Sequence, residues 1–257
     1  MTIQLRQICL VARKLQPVID DLTYVLGINS CFVDPGVGVF GLENTLMCVG
    51  RNFLEVVAPV QENTAGGRYL DRRGGDGGYM VICQASSKGE QQAIRQRALD
   101  NAIRIAHEGD RTNWNICQIH PRDMVVSFFE IDWMEPNDFT GWWMPAGGMQ
   151  WEDKVDQSST IDYLGVELQS DDPAGIADRW SLVSGEPVQH VDGELHICFN
   201  NAVLRFVQAT DGRGPGLGGL DISVADRNGI LERAMERDCY ENDSHVNICG
   251  TRFYLKD

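Results

Sequence analysis

The chain predicts an α+β fold built from four βαβββ units grouped into two modules. Three observations carry this: a strand–helix–strand order that recurs, glycine-rich joints between copies, and one linker of different composition near the middle. In the first copy "LRQICLVA" is β-rich, and "QPVIDDLTYVLG" places Val18, Ile19, Leu22 and Leu26 at helical spacing before stopping at Gly27. "SCFVD" follows as a strand. "VFGLENTLMCV" and "NFLEVVAP" then flank Gly50-Arg51-Asn52 as a hairpin.

The order returns with strand "YMVICQAS" and helix "KGEQQAIRQRALDNAIRIAHEG", whose stripe is Ile94, Ala98, Ala102 and Ile105. Strands "NWNICQIH" and "MVVSFFEID" close that copy. A third copy runs "IDYLGVELQ", helix "PAGIADRWSLVSG", "ELHICFN" and "AVLRFVQA"; a fourth runs "GLDISVAD", helix "RNGILERAMERD", "HVNICG" and "TRFYLKD". Loops "AGGRYLDRRGGDGG" and "DGRGPGLGG" join copies one to two and three to four, whereas "EPNDFTGWWMPAGGMQWEDKVDQSS" separates two from three. The expected division is therefore a first module at 1–134, an aromatic linker at 135–159 and a second module at 160–257. The G-x-G-x-x-G match at Gly214–Gly219 is followed by a strand rather than a helix, so it is not a dinucleotide site.

Composition narrows the class. The 257 residues are 43% hydrophobic and 23% charged, as in a globular protein, and a net charge of -15 disfavours nucleic acid and anionic membranes as partners. The eight cysteines contain no C-x-x-C pair and mostly sit in strand-like stretches, which reads as buried thiols in a reducing cytoplasm. The amino terminus lacks the basic start and long apolar core of a signal peptide, and no run approaches the roughly 18 apolar residues of a membrane span.

The chemistry concentrates in "IHPRDMVVSFFEIDW", where Glu130 interrupts an apolar strand. Strand alternation puts Val126, Phe128, Glu130 and Asp132 on one face. Either that face lines a site, or Glu130 and Asp132 face solvent. Glu55 in "NFLEVVAP" and Gln7 in "LRQICLVA" interrupt apolar strands in the same way.

Paired βαβββ units, "HPRD" followed by "FFEID", and the hydrophobic-Glu-hydrophobic triplet of "NFLEVVAP" together resemble the vicinal oxygen chelate superfamily of glyoxalases, bleomycin-resistance proteins and extradiol dioxygenases. The pattern covers nearly the whole chain except the linker. "HPRD" with "FFEID" is similar to the second unit of methylmalonyl-CoA epimerase, and the first half is most like bacterial glyoxalase-like proteins of unassigned substrate. The resemblance implies two modules with cupped mixed sheets, each cup offering four ligand positions. In the first cup these are Gln7, Glu55, Met80 and Glu130. It implies a divalent metal (Mg, Mn, Zn, Ni or Fe) held by Gln7, Glu55 and Glu130, although Met80 stands where histidine is usual and a thioether suits such ions poorly. Tyr79 or His120 could replace the missing ligand, or no metal is bound. In the second half the equivalent positions read as Tyr163, Arg205, Gly219 and a site near Phe253, with His196 and His245 out of register. That is not the two-histidine, one-glutamate set of a dioxygenase, and it makes the second site degenerate.

The implied function is a metal-assisted lyase or isomerase acting on a small oxygenated metabolite through an enolate-like intermediate, with Glu130 and Glu55 catalytic. His120, Arg122, Tyr79, Met80 and Arg68 would contact substrate. Arg68, Arg72 and Arg73 could hold an anionic group, or simply form a solvated loop face. The alternative is a non-catalytic, metal-free binding protein of the bleomycin-resistance type. Trp142, Trp143 and Trp151 are expected to cover the seam between halves, with a ligand mouth as the other reading. A homodimer is the expected assembly.

Overall fold

The computed structural model describes residues 3–257. The first sheet contains β1 (Ile3–Val11), β2 (Ser30–Phe32), β3 (Leu42–Val49), β4 (Asn52–Pro59), β5 (Gly77–Ala85), β6 (Ile105–Asp110), β7 (Trp114–Ile119) and β8 (Phe128–Met134). The second contains β9 (Thr160–Ser170), β10 (Val188–Val191), β11 (Glu194–Cys198), β12 (Val203–Gln208), β13 (Gly216–Val224), β14 (Tyr240–Asn242), β15 (His245–Ile248) and β16 (Thr251–Lys256). Both are eight-stranded with the same order, β2-β3-β4-β1-β5-β8-β7-β6 and β10-β11-β12-β9-β13-β16-β15-β14. Within each unit the first strand pairs parallel with the last, and two units join through their antiparallel first strands. This is the expected α+β arrangement of two repeated, cupped mixed sheets.

Four long helices cover one face of each sheet: α1 (Leu15–Leu26), α3 (Lys88–Asp100), α5 (Pro173–Ser184) and α6 (Arg227–Glu236). Two more segments, α2 (Ala65–Arg73) and α4 (Pro121–Met124), complete the set. The helix-bearing faces of both sheets share one apolar core, running from Ile8, Leu54, Val81 and Phe129 to Val166, Leu204, Leu220 and Phe253. Trp180 is fully buried at that junction, its indole Nε1 donating to the Met124 carbonyl and its ring 5.1 Å from Phe129. Arg97 of α3 ties the halves by donating to the carbonyls of Val183 and Ser184. The opposite face of each sheet, its cup, therefore points away from the other module.

Local chemistry explains where the elements depart from expectation. The second helix stops at Asp100 because Ala102 adopts a positive φ of 55°, and Ile105 begins β6 instead of continuing the stripe. "AGGRYLDRR" is not a loop but α2: the Thr64 hydroxyl accepts from Gly67 N, and Gly74 closes the helix at φ 76°. Residues 35–40 form a 3-10 turn, so β3 starts only at Leu42. Val126 lies in the shared core rather than beside Glu130, because the chain turns at Val125 before β8 begins. All eight cysteines are free, and no helix among the described residues is long and apolar enough to cross a membrane.

Candidate active site in the first cup

The β1–β5 ladder sets the register of the first cup. Gln7 pairs with Ile82 and Cys9 with Met80, and this central stretch is bounded by irregularities at Arg6 and Tyr79. Such a bulge lets neighbouring residues point the same way. Arg6 and Gln7 both enter the cup, as do Tyr79 and Met80. Across the flanking parallel pairs, Glu55 lies opposite Cys9 and Glu130 opposite Ile82. The pseudo-twofold between the units thus matches Gln7 with Met80 and Glu55 with Glu130.

The two acids are buried, Glu55 at 7% and Glu130 at 3% exposure. Gln7 Nε2 donates to Glu55 Oε2 at 2.9 Å and Asn44 Nδ2 to Glu55 Oε1 at 2.6 Å. Burial raises the Glu55 carboxyl above its usual range, and the Asn44 amide, the Cys9 thiol and the Gln7 amide oppose the rise. Glu130 accepts from Gln118 Nε2 at 2.7 Å. Burial pushes its carboxyl up to about 7, with the Glu55 charge adding to the push. Asp132 is fully buried; one oxygen accepts from Trp114 Nε1 at 3.0 Å while the other has no partner among the described residues. It too is raised, by burial and then by the charge of Glu130, so the neighbours titrate as a pair. A carboxyl near neutrality in a dry, apolar cup is suited to proton transfer.

The linker tryptophans are in this cup and not at the seam. Trp143 is fully buried, and its indole Nε1 donates to Gln7 Oε1 at 2.8 Å. Trp151, also fully buried, packs edge-on to Phe53 at 5.1 Å and donates to the Gly148 carbonyl. The Arg6 guanidinium sits 5.0 Å from the Trp143 ring centroid and holds the linker by donating to the Asp138 and Gly141 carbonyls. The helix α2 contributes Tyr69 and Leu70 to the same apolar cluster. Tyr69, Tyr79 and Phe128 form an edge-to-face ladder with successive centroids 5.1 Å apart.

The remaining residues named from sequence lie outside the floor. His120 caps α4, its Nδ1 accepting from Arg122 N at 3.2 Å, and burial beside Arg104 holds its imidazole below the usual range. Arg122 is exposed on an outer groove. Arg68 is exposed and donates to Asn63, on a different groove. Arg73 is not available to a ligand: it donates to the carbonyls of Arg213, Gly214 and Pro215 in the other half. Asn44, Cys9, Gln118 and Trp114 are not singled out from sequence, whereas Asp132 is placed on the Glu130 face with solvent as its other reading. Gln118 could have been found, since it keeps the two-residue alternation with Trp114.

A divalent ion does not fit this donor set. The Gln7 oxygen is engaged by Trp143, both Glu55 oxygens hold amide donors, and Met80 supplies only a thioether. Among the described residues no three His, Cys, Asp or Glu side chains are grouped as metal ligands would be.

The second cup has the same ladder defects and different chemistry. Glu167 pairs with Gly219 and Gly165 with Asp221, again bounded by irregularities. Glu167 lies opposite Arg205, and Asp221 opposite Tyr254. The positions matching Gln7, Glu55, Met80 and Glu130 are therefore Gly165, Arg205, Gly219 and Tyr254. This corrects two of the expected positions, Tyr163 and Phe253, which both point into the shared core. Arg205 grips Asp221 through two bonds of 2.7 and 3.0 Å, and Arg252 grips Glu167 at 2.6 Å.

No protein-family model matches the chain, and no curated protein matches it in sequence. Solved structures do. A hypothetical protein from Staphylococcus aureus superposes with a TM-score of 0.64 at 12% identity, covering 100% of this chain and 99% of that one. Methylmalonyl-CoA epimerase from Mycobacterium tuberculosis gives 0.43 at 21% identity over 52% of this chain and 89% of its own. The Streptomyces coelicolor epimerase (E43Q) in complex with 2-nitronate-propionyl-CoA gives 0.44 at 16%, over 52% and 99%. The first likeness is one of fold alone, and the half-chain superpositions are too loose to bear on residues or chemistry.

Proposed function

We propose that the first cup is a small-molecule site of the isomerase or lyase type, acting on an oxygenated metabolite through an enolate-like intermediate, with Glu130 as the acid–base group. The observation that carries this is the buried Glu130 carboxyl, held near neutrality beside Asp132 and facing Glu55 from the matching strand of the other unit. As carboxylate, Glu130 takes a proton from carbon next to a carbonyl, and the electron pair moves onto the carbonyl oxygen. Return of a proton to the other face, from Glu55, gives an isomer; departure of a β-substituent gives a lyase product. Tyr79 and Met80 shape the apolar wall between the two acids. Because the donors do not suit a divalent ion, no step is assigned to one.

Solvent exchange tests this. A panel of small 2-hydroxy and 2-oxo acids is incubated with the protein in deuterated buffer and followed by proton NMR. Loss of the signal next to the carbonyl, at least a hundredfold slower in Glu130→Gln, is the expected result. Equal exchange in the variant refutes the assignment. Stoichiometric Mn, Ni or Zn in protein purified without chelators would overturn the metal-free reading. The second reading, a non-catalytic binding protein, is favoured by the packing of Trp143 and Trp151 into the cup. Binding without exchange for every panel member would select it.

A further inference from the structure

An open groove of about 220 Å³ lies at the rim of the first cup, between α2 and the turn that follows α4. Tyr69, Arg72, Pro121, Arg122, Val125 and Ser127 line it. Tyr69 belongs to both places: one side walls the groove, and the ring also begins the ladder through Tyr79 to Phe128 inside the cup.

Two features set the groove apart. Among the described residues, neither Arg72 nor Arg122 pairs with a carboxylate or donates a side-chain hydrogen bond, in a chain whose net charge is -15. Neighbouring arginines behave differently: Arg104 is paired with Asp123, Arg13 with Asp71, and Arg73 is consumed by three carbonyls. Two guanidiniums lining one groove without a counter-charge repel one another, and an anion between them removes that cost. The Arg72 guanidinium is also stacked 5.4 Å from the Tyr69 centroid, which fixes its direction. The second feature is the backbone beneath Arg122. Val125 sits at φ 71°, ψ -50°, and Val126 N donates to the Met124 carbonyl at 2.9 Å, a γ-turn of the positive-φ kind. A β-branched side chain rarely adopts that conformation, and strain of this sort is kept where the turn serves a site.

We propose that this groove is an anion subsite: Arg72 and Arg122 hold a phosphate or carboxylate end of the ligand, and the rest passes Tyr69 towards Tyr79 and Met80. The inference rests on the first cup being the ligand site, and names the class of molecule it takes.

The test is isothermal titration of the full chain at low ionic strength with inorganic phosphate and, separately, acetate. Saturable binding of at least one is expected, weakened about tenfold or more in Arg72→Gln and in Arg122→Gln and abolished in the double variant. Arg111→Gln, an exposed arginine over Trp114, serves as control and retains wild-type affinity. Tighter phosphate points to a phosphoryl end, and tighter acetate to a carboxylate end. Wild-type affinity in the double variant, or no binding of either anion, overturns the proposal. Anion binding is read without turnover, so lost proton exchange with intact anion binding would sink the acid–base reading alone.

Discussion

Raising the pH from 5 to 8 should cost this protein stability through Glu130, and Glu130→Gln should remove most of that cost. The folded carboxyl titrates near 7 against 4.5 for the ordinary group, so the folded state holds its proton more tightly than the unfolded chain does. Stability from this group is complete below the unfolded value and is lost as pH rises through the folded one. Integrating between pH 5 and 8 gives a loss of roughly 2 to 3 kcal/mol. Asp132 is raised in the same direction by burial, so the pair loses more than Glu130 alone. Urea unfolding at the two pH values measures the difference for wild type and variant. Glutamine keeps an acceptor for Gln118 and carries no charge, so the variant should lose markedly less than wild type across this window, with Asp132 supplying what remains, and be more stable than wild type at pH 8. If its pH 5-to-8 change matched wild type to within about 0.5 kcal/mol, the buried-acid account would be wrong.

The linker offers a graded test: Trp143→Phe keeps most of the apolar surface but orphans Gln7 Oε1, costing about 1–3 kcal/mol, whereas Trp143→Ala should cost roughly 3–5 kcal/mol. Urea midpoints distinguish these, and a negligible loss in Trp143→Phe would mean the indole bond to Gln7 contributes nothing. In the second cup, Arg205→Ala leaves Asp221 without its guanidinium, while Glu167 keeps Arg252, and should cost about 3 kcal/mol in a melt at neutral pH. Combining it with Asp221→Ala should recover part of that loss; strict additivity would argue that the two side chains do not interact.

Much of the fold was legible because apolar periodicity and turn residues repeat. The parity of Glu55 and Glu130 was legible for the same reason, since each interrupts the last strand of its unit. Four things were not. The β6 strand was hidden inside a helical stripe that Ala102 breaks by backbone conformation alone. The α2 helix was masked by its glycines, and only the Thr64 cap and the spacing of Tyr69, Leu70 and Arg73 betray it. Asp132 suggested a solvent face, yet Trp114, eighteen residues earlier on a neighbouring strand, supplies the donor that lets it stay buried. Such long-range partners leave no local trace. The linker tryptophans lie in the cup and not at the expected seam because Arg6 and Gln7 on β1 hold Trp143 there, through partners more than a hundred residues away in sequence.

The paired ladder irregularities carry a historical consequence. Arg6 and Tyr79 in one sheet, and Leu164 and Gly218 in the other, occupy the same four offsets although no residue type is shared. The two sheets thus share their backbone irregularities where they share no side chain, so the internal repeat is better read from where hydrogen bonding slips than from which amino acid is found. The two floors also differ in the room they leave for side chains. A Cβ on Gly165 would lie 2.5 Å from the Val203 carbonyl oxygen, and one on Gly219 2.8 Å from the Tyr254 ring. Transplanting Gln7 and Met80 of the first sheet into the second would therefore require its neighbouring strands to move apart first, so the two floors are not interchangeable.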